Sequence, residues 1–143
     1  MTLPVARQST CVEIDGRAVL IEGPSGAGKS SLALALIDRG AVLIGDDSVM
    51  LDRIDGQLLA SPHPRTRGLL EVRNLGLLPF ACSTAKPVAL LLLLDPAAPR
   101  YIEEAEAIML GGMPIPLIRL HPDGLGLAIK AELALRHYGL QCR

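Results

Sequence analysis

The stretch Gly23-Pro24-Ser25-Gly26-Ala27-Gly28-Lys29-Ser30 constrains this chain more than any other. It satisfies the pattern G-x-x-x-x-G-K-[ST], follows the apolar run Ala18-Val19-Leu20-Ile21, and precedes the helix-like Ser31-Leu32-Ala33-Leu34-Ala35-Leu36-Ile37. Strand, glycine-rich loop and helix in that order are what separates a phosphate-binding P-loop from a chance glycine turn. Backbone N–H groups of such a loop curl around a phosphate, and the helix N-terminus adds partial positive charge. Lys29 then reaches the β and γ phosphates of ATP, and the Ser30 hydroxyl holds Mg²⁺. Nucleotide contacts are accordingly expected from Gly23, Pro24, Ser25, Gly26, Ala27, Gly28, Lys29 and Ser30.

A chain of 143 residues is expected to form a single P-loop domain over 1–143. Half of it is hydrophobic but only 2% aromatic, so the core must be packed from Leu, Ala, Val and Ile. Part of that aliphatic surface is expected to end in a subunit interface. The formal net charge of −1 gives no electrostatic case for nucleic acid, and no Lys/Arg run suggests a membrane surface. Cys11, Cys82 and Cys142 are odd in number and show no C-x-x-C, which indicates neither a disulfide frame nor a zinc site. The longest aliphatic run, 88–94, falls far short of the roughly 20 residues that span a bilayer. With no apolar signal region before Arg7, the expected compartment is the cytoplasm.

Along the chain, residues 1–9 lack a period and read as a loop. Asp15-Gly16 and Asp55-Gly56 each stand between apolar-rich segments and predict two hairpins, which makes a mixed α/β sheet the expected fold rather than a purely parallel one. Gly40 stands where a helix C-cap is expected, and 41–44 is a short strand running into Asp46-Asp47. Residues 61–68 read as an exposed loop, 69–78 as a leucine-rich stretch with polar insertions, 88–94 as the central strand, and 102–110 as a helix stopped by Gly111-Gly112. An extended stretch at 115–120 and an amphipathic helix from about Leu127 complete the chain.

Ligands of open α/β sheets sit beyond the C-terminal ends of the strands, so Asp46-Asp47 should lie near the P-loop. Asp47 is the candidate to deprotonate or orient the phosphoryl acceptor, the other reading being a solvated turn. Glu71 among leucines is either a metal ligand or an exposed strand position. Asp95, after five leucines, has the placement of a second Mg²⁺ contact or of an ordinary Asp-Pro turn. His63, Arg65, Arg67 and Arg100 are polar loop residues, and the arginines are possible phosphate contacts.

Taken together, the P-loop, the segment Leu36-Ile37-Asp38-Arg39-Gly40-Ala41 leading to Asp46-Asp47, and Leu69-Leu70-Glu71-Val72-Arg73-Asn74-Leu75-Gly76-Leu77-Leu78 resemble the catalytic domain of HPr kinase/phosphorylase. The last segment looks like the signature stretch of that family. The resemblance implies a P-loop fold of the phosphoenolpyruvate-carboxykinase-like type, an ATP- and Mg²⁺-dependent serine kinase acting on the phosphocarrier HPr, and a homo-oligomer, a hexamer by analogy. It implies Asp47 as proton acceptor, Lys29 as phosphate ligand, Ser30 and Glu71 as Mg²⁺ ligands in preference to Asp95, and Arg100 as the counterpart of a catalytic arginine. The chain looks like the short alphaproteobacterial form, without a separate N-terminal domain. It departs from the family pattern at Gln8, where the family has histidine, at Asn74, where it has glycine, and at 121–126, where no arginine stands. Those departures bear on the dephosphorylating direction more than on the kinase direction. The competing functions are a small-molecule P-loop kinase and a nucleotide-binding sensor without catalysis.

Overall fold

A computed structural model describes residues 4–141; residues 1–3, Cys142 and Arg143 lie outside the described residues. The elements in chain order are β1 (Val5–Arg7), β2 (Thr10–Ile14), β3 (Arg17–Glu22), α1 (Lys29–Asp38), β4 (Val42–Gly45), β5 (Val49–Ile54) and β6 (Gln57–Pro62). They continue as β7 (Leu69–Val72), β8 (Gly76–Pro79), β9 (Lys86–Leu94), β10 (Glu106–Leu110), β11 (Met113–Leu120) and α2 (Leu127–Tyr138).

Both Asp-Gly turns form. β2 pairs antiparallel with β3 around Asp15-Gly16, and β5 with β6 around Asp55-Gly56. Their central residues have φ of 51° and 82° in the first turn and 52° and 75° in the second. That doubly left-handed geometry matches the natural twist of the flanking strands. The strand order β1-β5-β6-β9-β3-β2-β4, with β11 also on β9 and β10 beyond it, makes the expected mixed sheet. β9 is its centre, running parallel to β3 on one side and to β11 on the other, and meeting β6 antiparallel at Lys86 and Pro87.

A register shift beside β9, where Ala18 faces Val88 but Val19 faces Leu90, marks a bulge, and the unbroken apolar run of β9 is buried on both faces. Leu90, Leu92 and Leu94 pack with Leu32 and Leu36 of α1 and Leu135 of α2. Val88 and Leu91 pack on the other face with Leu51, Leu58 and Ile115. α1 ends as expected at Gly40: its N–H donates to the Ile37 carbonyl and the Ala41 N–H to that of Leu36, the paired closing bonds of a glycine-capped helix. No helix among the described residues is long and apolar enough to cross a membrane.

Three sequence expectations are corrected. Residues 102–110 are not a helix: Glu106–Leu110 is β10, antiparallel to β11. The three nearby glutamates suggested a helix, yet burial alternates, with Ile108 and Leu110 facing in and Ala107 and Met109 facing out. Gly111-Gly112 is therefore a two-residue hairpin turn rather than a helix stop. Within the segment read as a loop, Val5–Arg7 is a strand, because the edge of β5 offers it a partner that local sequence does not reveal. At the start of the expected 61–68 loop, Ser61 and Pro62 complete β6, with Pro62 buried.

Gly45 ends β4 where the chain reverses into β5. A Cβ there would lie 2.7 Å from both the Ser48 carbonyl oxygen and Val49 Cγ1. Gly45→Ala is expected to lower stability by about 1–3 kcal/mol through overpacking, seen as a lower urea midpoint. An unchanged midpoint would contradict the closeness of this reversal.

Candidate active site

The P-loop leaves β3 and opens into α1, whose N-cap Gly28 has φ 97° and ψ 27°, a conformation open to glycine without penalty. A cavity of about 980 Å³ lies over the loop. Its lining brings together Lys29, Ser30, Asp46, Asp47 and Glu71, which come from three separate stretches of sequence. Ala27 is not among the lining residues; its N–H is turned back onto the Pro24 carbonyl at 3.1 Å.

Asp46 is the hub. Only 9% exposed, it accepts hydrogen bonds at Oδ1 from the hydroxyls of Ser30 (2.7 Å) and Thr10 (3.0 Å), and at Oδ2 from the Glu71 backbone N–H (2.9 Å). Because Ser30 donates its proton to Asp46, the lone pairs of its oxygen remain available for a hard cation. The bond from Glu71 also ties the separate β7–β8 hairpin to the end of β4, beside the cradle.

Asp47 has a different setting. It is exposed and has φ 67°, a left-handed conformation that costs a non-glycine residue about 1 kcal/mol. Local bonds hold it there: the Ser9 N–H donates to its carbonyl (3.2 Å), its own N–H donates to Thr10 Oγ1 (3.4 Å), and Gln8 Nε2 reaches its carboxylate at 3.5 Å. Strain of this kind concentrates at functional positions. The neighbouring carboxylates thus differ in setting, Asp46 turned inward onto Ser30 and Asp47 exposed in the lining of the cavity.

Lys29 Nζ donates to the Gly23 carbonyl at 2.8 Å. With Arg73 it supplies the cationic lining, against the carboxylates of Glu22, Asp46, Asp47 and Glu71. Glu22 is offset by Arg7, which grips it through Nε (2.6 Å) and Nη2 (2.9 Å). This bidentate bond to Glu22 is also the main reason the Arg7 guanidinium is held above its usual pKa. The remaining excess of negative charge would repel a polyphosphate unless a divalent cation accompanied it. Among the described residues no group of three or more His, Cys, Asp or Glu side chains forms a metal cage.

Other candidates lie elsewhere. Asp95 accepts from the Ala97 N–H (2.8 Å) and from Arg119 Nη1 (3.0 Å), which in that order draw its carboxylate below the usual range, and it does not line the cavity. Arg100, His63, Arg65 and Arg67 are not in the lining either, and Arg100 is exposed. The sequence reading missed Thr10, which contacts both acidic residues, and Arg73. Arg73 stands in the turn just after β7, and no periodic signal in the sequence marks it. Thr66 was also missed; it lines the cavity, and its Oγ1 is buried without a hydrogen-bond partner.

A family model for the HPr Serine kinase C-terminal domain matches residues 2–83, the part of the chain that carries Lys29, Ser30, Asp46, Asp47 and Glu71. The chain belongs to this family. Among HPr kinase/phosphorylases, that of Nitrosomonas europaea is 33% identical over 155 aligned positions, covering 97% of this chain and 48% of the relative. The enzyme of Clostridium beijerinckii is 49% identical over 67 residues, covering 47% and 22% respectively. The chain therefore spans less than half the length of these curated relatives. The solved HPr(Ser) kinase/phosphatase from Coxiella burnetii superposes with a TM-score of 0.82 at 28% identity, over 92% of this chain and 88% of that one. The mixed sheet with its P-loop is thus the fold of the HPr serine kinase C-terminal domain, as the sequence resemblance implied.

Proposed function

We propose that this chain is an ATP-dependent serine kinase whose acceptor is an HPr-type phosphocarrier protein. The observation that carries the reading is the placement of an exposed, left-handed Asp47 in one cavity with Lys29 and the Ser30–Asp46 pair. Asp47 takes the proton of the acceptor serine as its oxygen bonds to the γ-phosphorus, and the bond to the β-phosphate oxygen breaks to release ADP. Lys29 balances charge on the transferred group, and the P-loop amides hold the phosphates in place. Ser30 and Glu71 would hold Mg²⁺, which when bound screens the phosphates from the surrounding carboxylates. Arg100 enters this reading only if it approaches the site when the acceptor is present. The kinase direction is the one proposed; Gln8, beside Asp47 where the family has histidine, bears on the reverse.

A folded protein as acceptor is supported by the rim. Leu75 and Leu77 are 69% and 64% exposed on the β7–β8 hairpin, and Leu77 borders the cavity, so apolar contact area stands ready beside the site. A small-molecule kinase would instead need a closing lid to exclude water. Self-association is part of the same proposal, supported by Ile129 and Leu133, exposed on α2. The purified chain with ATP, Mg²⁺ and an HPr-type protein is expected to place one phosphate on serine, located by mass spectrometry. Turnover of nucleosides, sugars or adenylylsulfate should stay at the level of background ATP hydrolysis. Rapid turnover of any of these with no label on the carrier would overturn the reading.

A further inference from the structure

Next to the phosphate cradle lies a second, smaller cavity of about 230 Å³, between the first turns of α1 and the segment that leads into α2. Gly28 and Ser31 border both cavities, so the two adjoin at the N-terminus of α1. Its walls are the stripe Gly28, Ser31, Leu32 and Ala35 on α1, at helical i, i+3 and i+4 spacing, faced by Leu127 and Ala128 of α2. Leu125, fully solvent-exposed, stands at its edge. The volume lies below the roughly 300–1,000 Å³ that holds a whole drug-sized ligand. A single flat ring system attached to something bound next door is what such a slot can hold.

We propose that this slot seats the base of the nucleoside triphosphate whose phosphates occupy the P-loop, and that it grips the faces of the base without reading its edge. The proposal rests on the phosphate-cradle reading given above. A phosphate chain laid along the loop passes Gly28 and Ser31, and these two residues open directly into the slot. Aliphatic lining from both α1 and α2 suits the apolar faces of a purine. Among the described residues Ser31 contributes the only polar side chain in the lining, so no side-chain amide, carboxylate or guanidinium is there to distinguish a 6-amino from a 6-oxo purine. Strong discrimination requires side chains whose hydrogen bonds are left unmade by the wrong ligand, and this slot is poor in them. Adenine and guanine nucleotides should therefore be accepted alike, and both should bind more tightly than the bare phosphate chain.

The test is direct binding to the full chain in Mg²⁺, by calorimetry, of ATP, GTP and inorganic tripolyphosphate. Dissociation constants for ATP and GTP are expected within about threefold of each other, with tripolyphosphate weaker by about tenfold or more. Ala35→Phe fills the slot from an exposed helix position and should weaken ATP and GTP by about tenfold or more while leaving tripolyphosphate unchanged. Retained tripolyphosphate binding shows that the variant is folded. A preference of about a hundredfold for one purine, or an Ala35→Phe variant that binds ATP as the parent does, would overturn the slot alone. Failure of tripolyphosphate to bind the parent chain would overturn the cradle reading and the slot with it.

Discussion

Lys29→Ala is expected to reduce phosphoryl transfer by more than about 100-fold, a loss of about 3 kcal/mol or more of transition-state stabilisation. Only Lys29 and Arg73 bring positive charge to the described lining of a cavity that also holds Glu22, Asp46, Asp47 and Glu71. Removing the lysine leaves the developing charge on the phosphoryl oxygens with little but the cation and the loop amides to balance it. Substrate and transition state both carry negative charge, so some loss should appear in ATP affinity, with the larger part in the rate of the chemical step. Single-turnover transfer at saturating ATP isolates that part, and an unchanged melting curve shows the fold is intact. Survival of more than about a third of the parent rate would leave the P-loop without its expected chemistry.

The second large effect is expected from Asp47→Asn, which keeps the shape of the side chain but removes most of its basicity. Transfer should fall by about 10²- to 10⁴-fold, the range for loss of a general base, while ATP binding stays close to that of the parent. Asp46→Asn provides the contrast. Its carboxylate accepts bonds from Ser30, Thr10 and Glu71, and an amide in its place has one oxygen to offer three donors. Its defect should therefore appear as a raised Mg²⁺ requirement through a misplaced Ser30, with a smaller effect on the chemical step at saturating metal. Exchange of these two phenotypes would reverse the division of roles within the pair.

Much of this site was legible because its signals are local. The P-loop motif is contiguous, and each Asp-Gly turn announces its own hairpin. The leucine run of β9 is long enough to identify a buried central strand. The strand-end rule placed Asp46-Asp47 near the cradle, and they line the same cavity as Lys29. What escaped was decided by long-range partners. Arg7 reads as a loop residue until Glu22, fifteen positions away, is seen to bind it. The difference between Asp46 and Asp47 lies in contacts from Thr10, Ser30 and Glu71, which are 36, 16 and 25 positions distant, and nothing in two adjacent identical letters foretells it. For β10 the sequence carries no alternation, since Ala107, Ile108, Met109 and Leu110 are all apolar; its extended form comes from pairing with β11 across Gly111-Gly112.

The support of the cradle has a consequence for the order in which the protein is made. The polar residues lining the site lie between Gln8 and Arg73, yet the strand they lean on, β9, is Lys86–Leu94, which adds Leu93 to the lining, and an added Cβ on Gly23 would come within 2.9 Å of the Leu94 carbonyl oxygen. β9 in turn takes its other parallel neighbour from Met113–Leu120. During synthesis on the ribosome the whole phosphate-binding apparatus therefore emerges before the strand that braces it. Until then the β2–β3 hairpin presents β3 as an open edge rich in buried-type side chains, a surface prone to wrong pairing. A nascent chain arrested so that residues up to 85 have emerged should be readily cleaved by protease near the P-loop, and one extended past residue 120 should be protected.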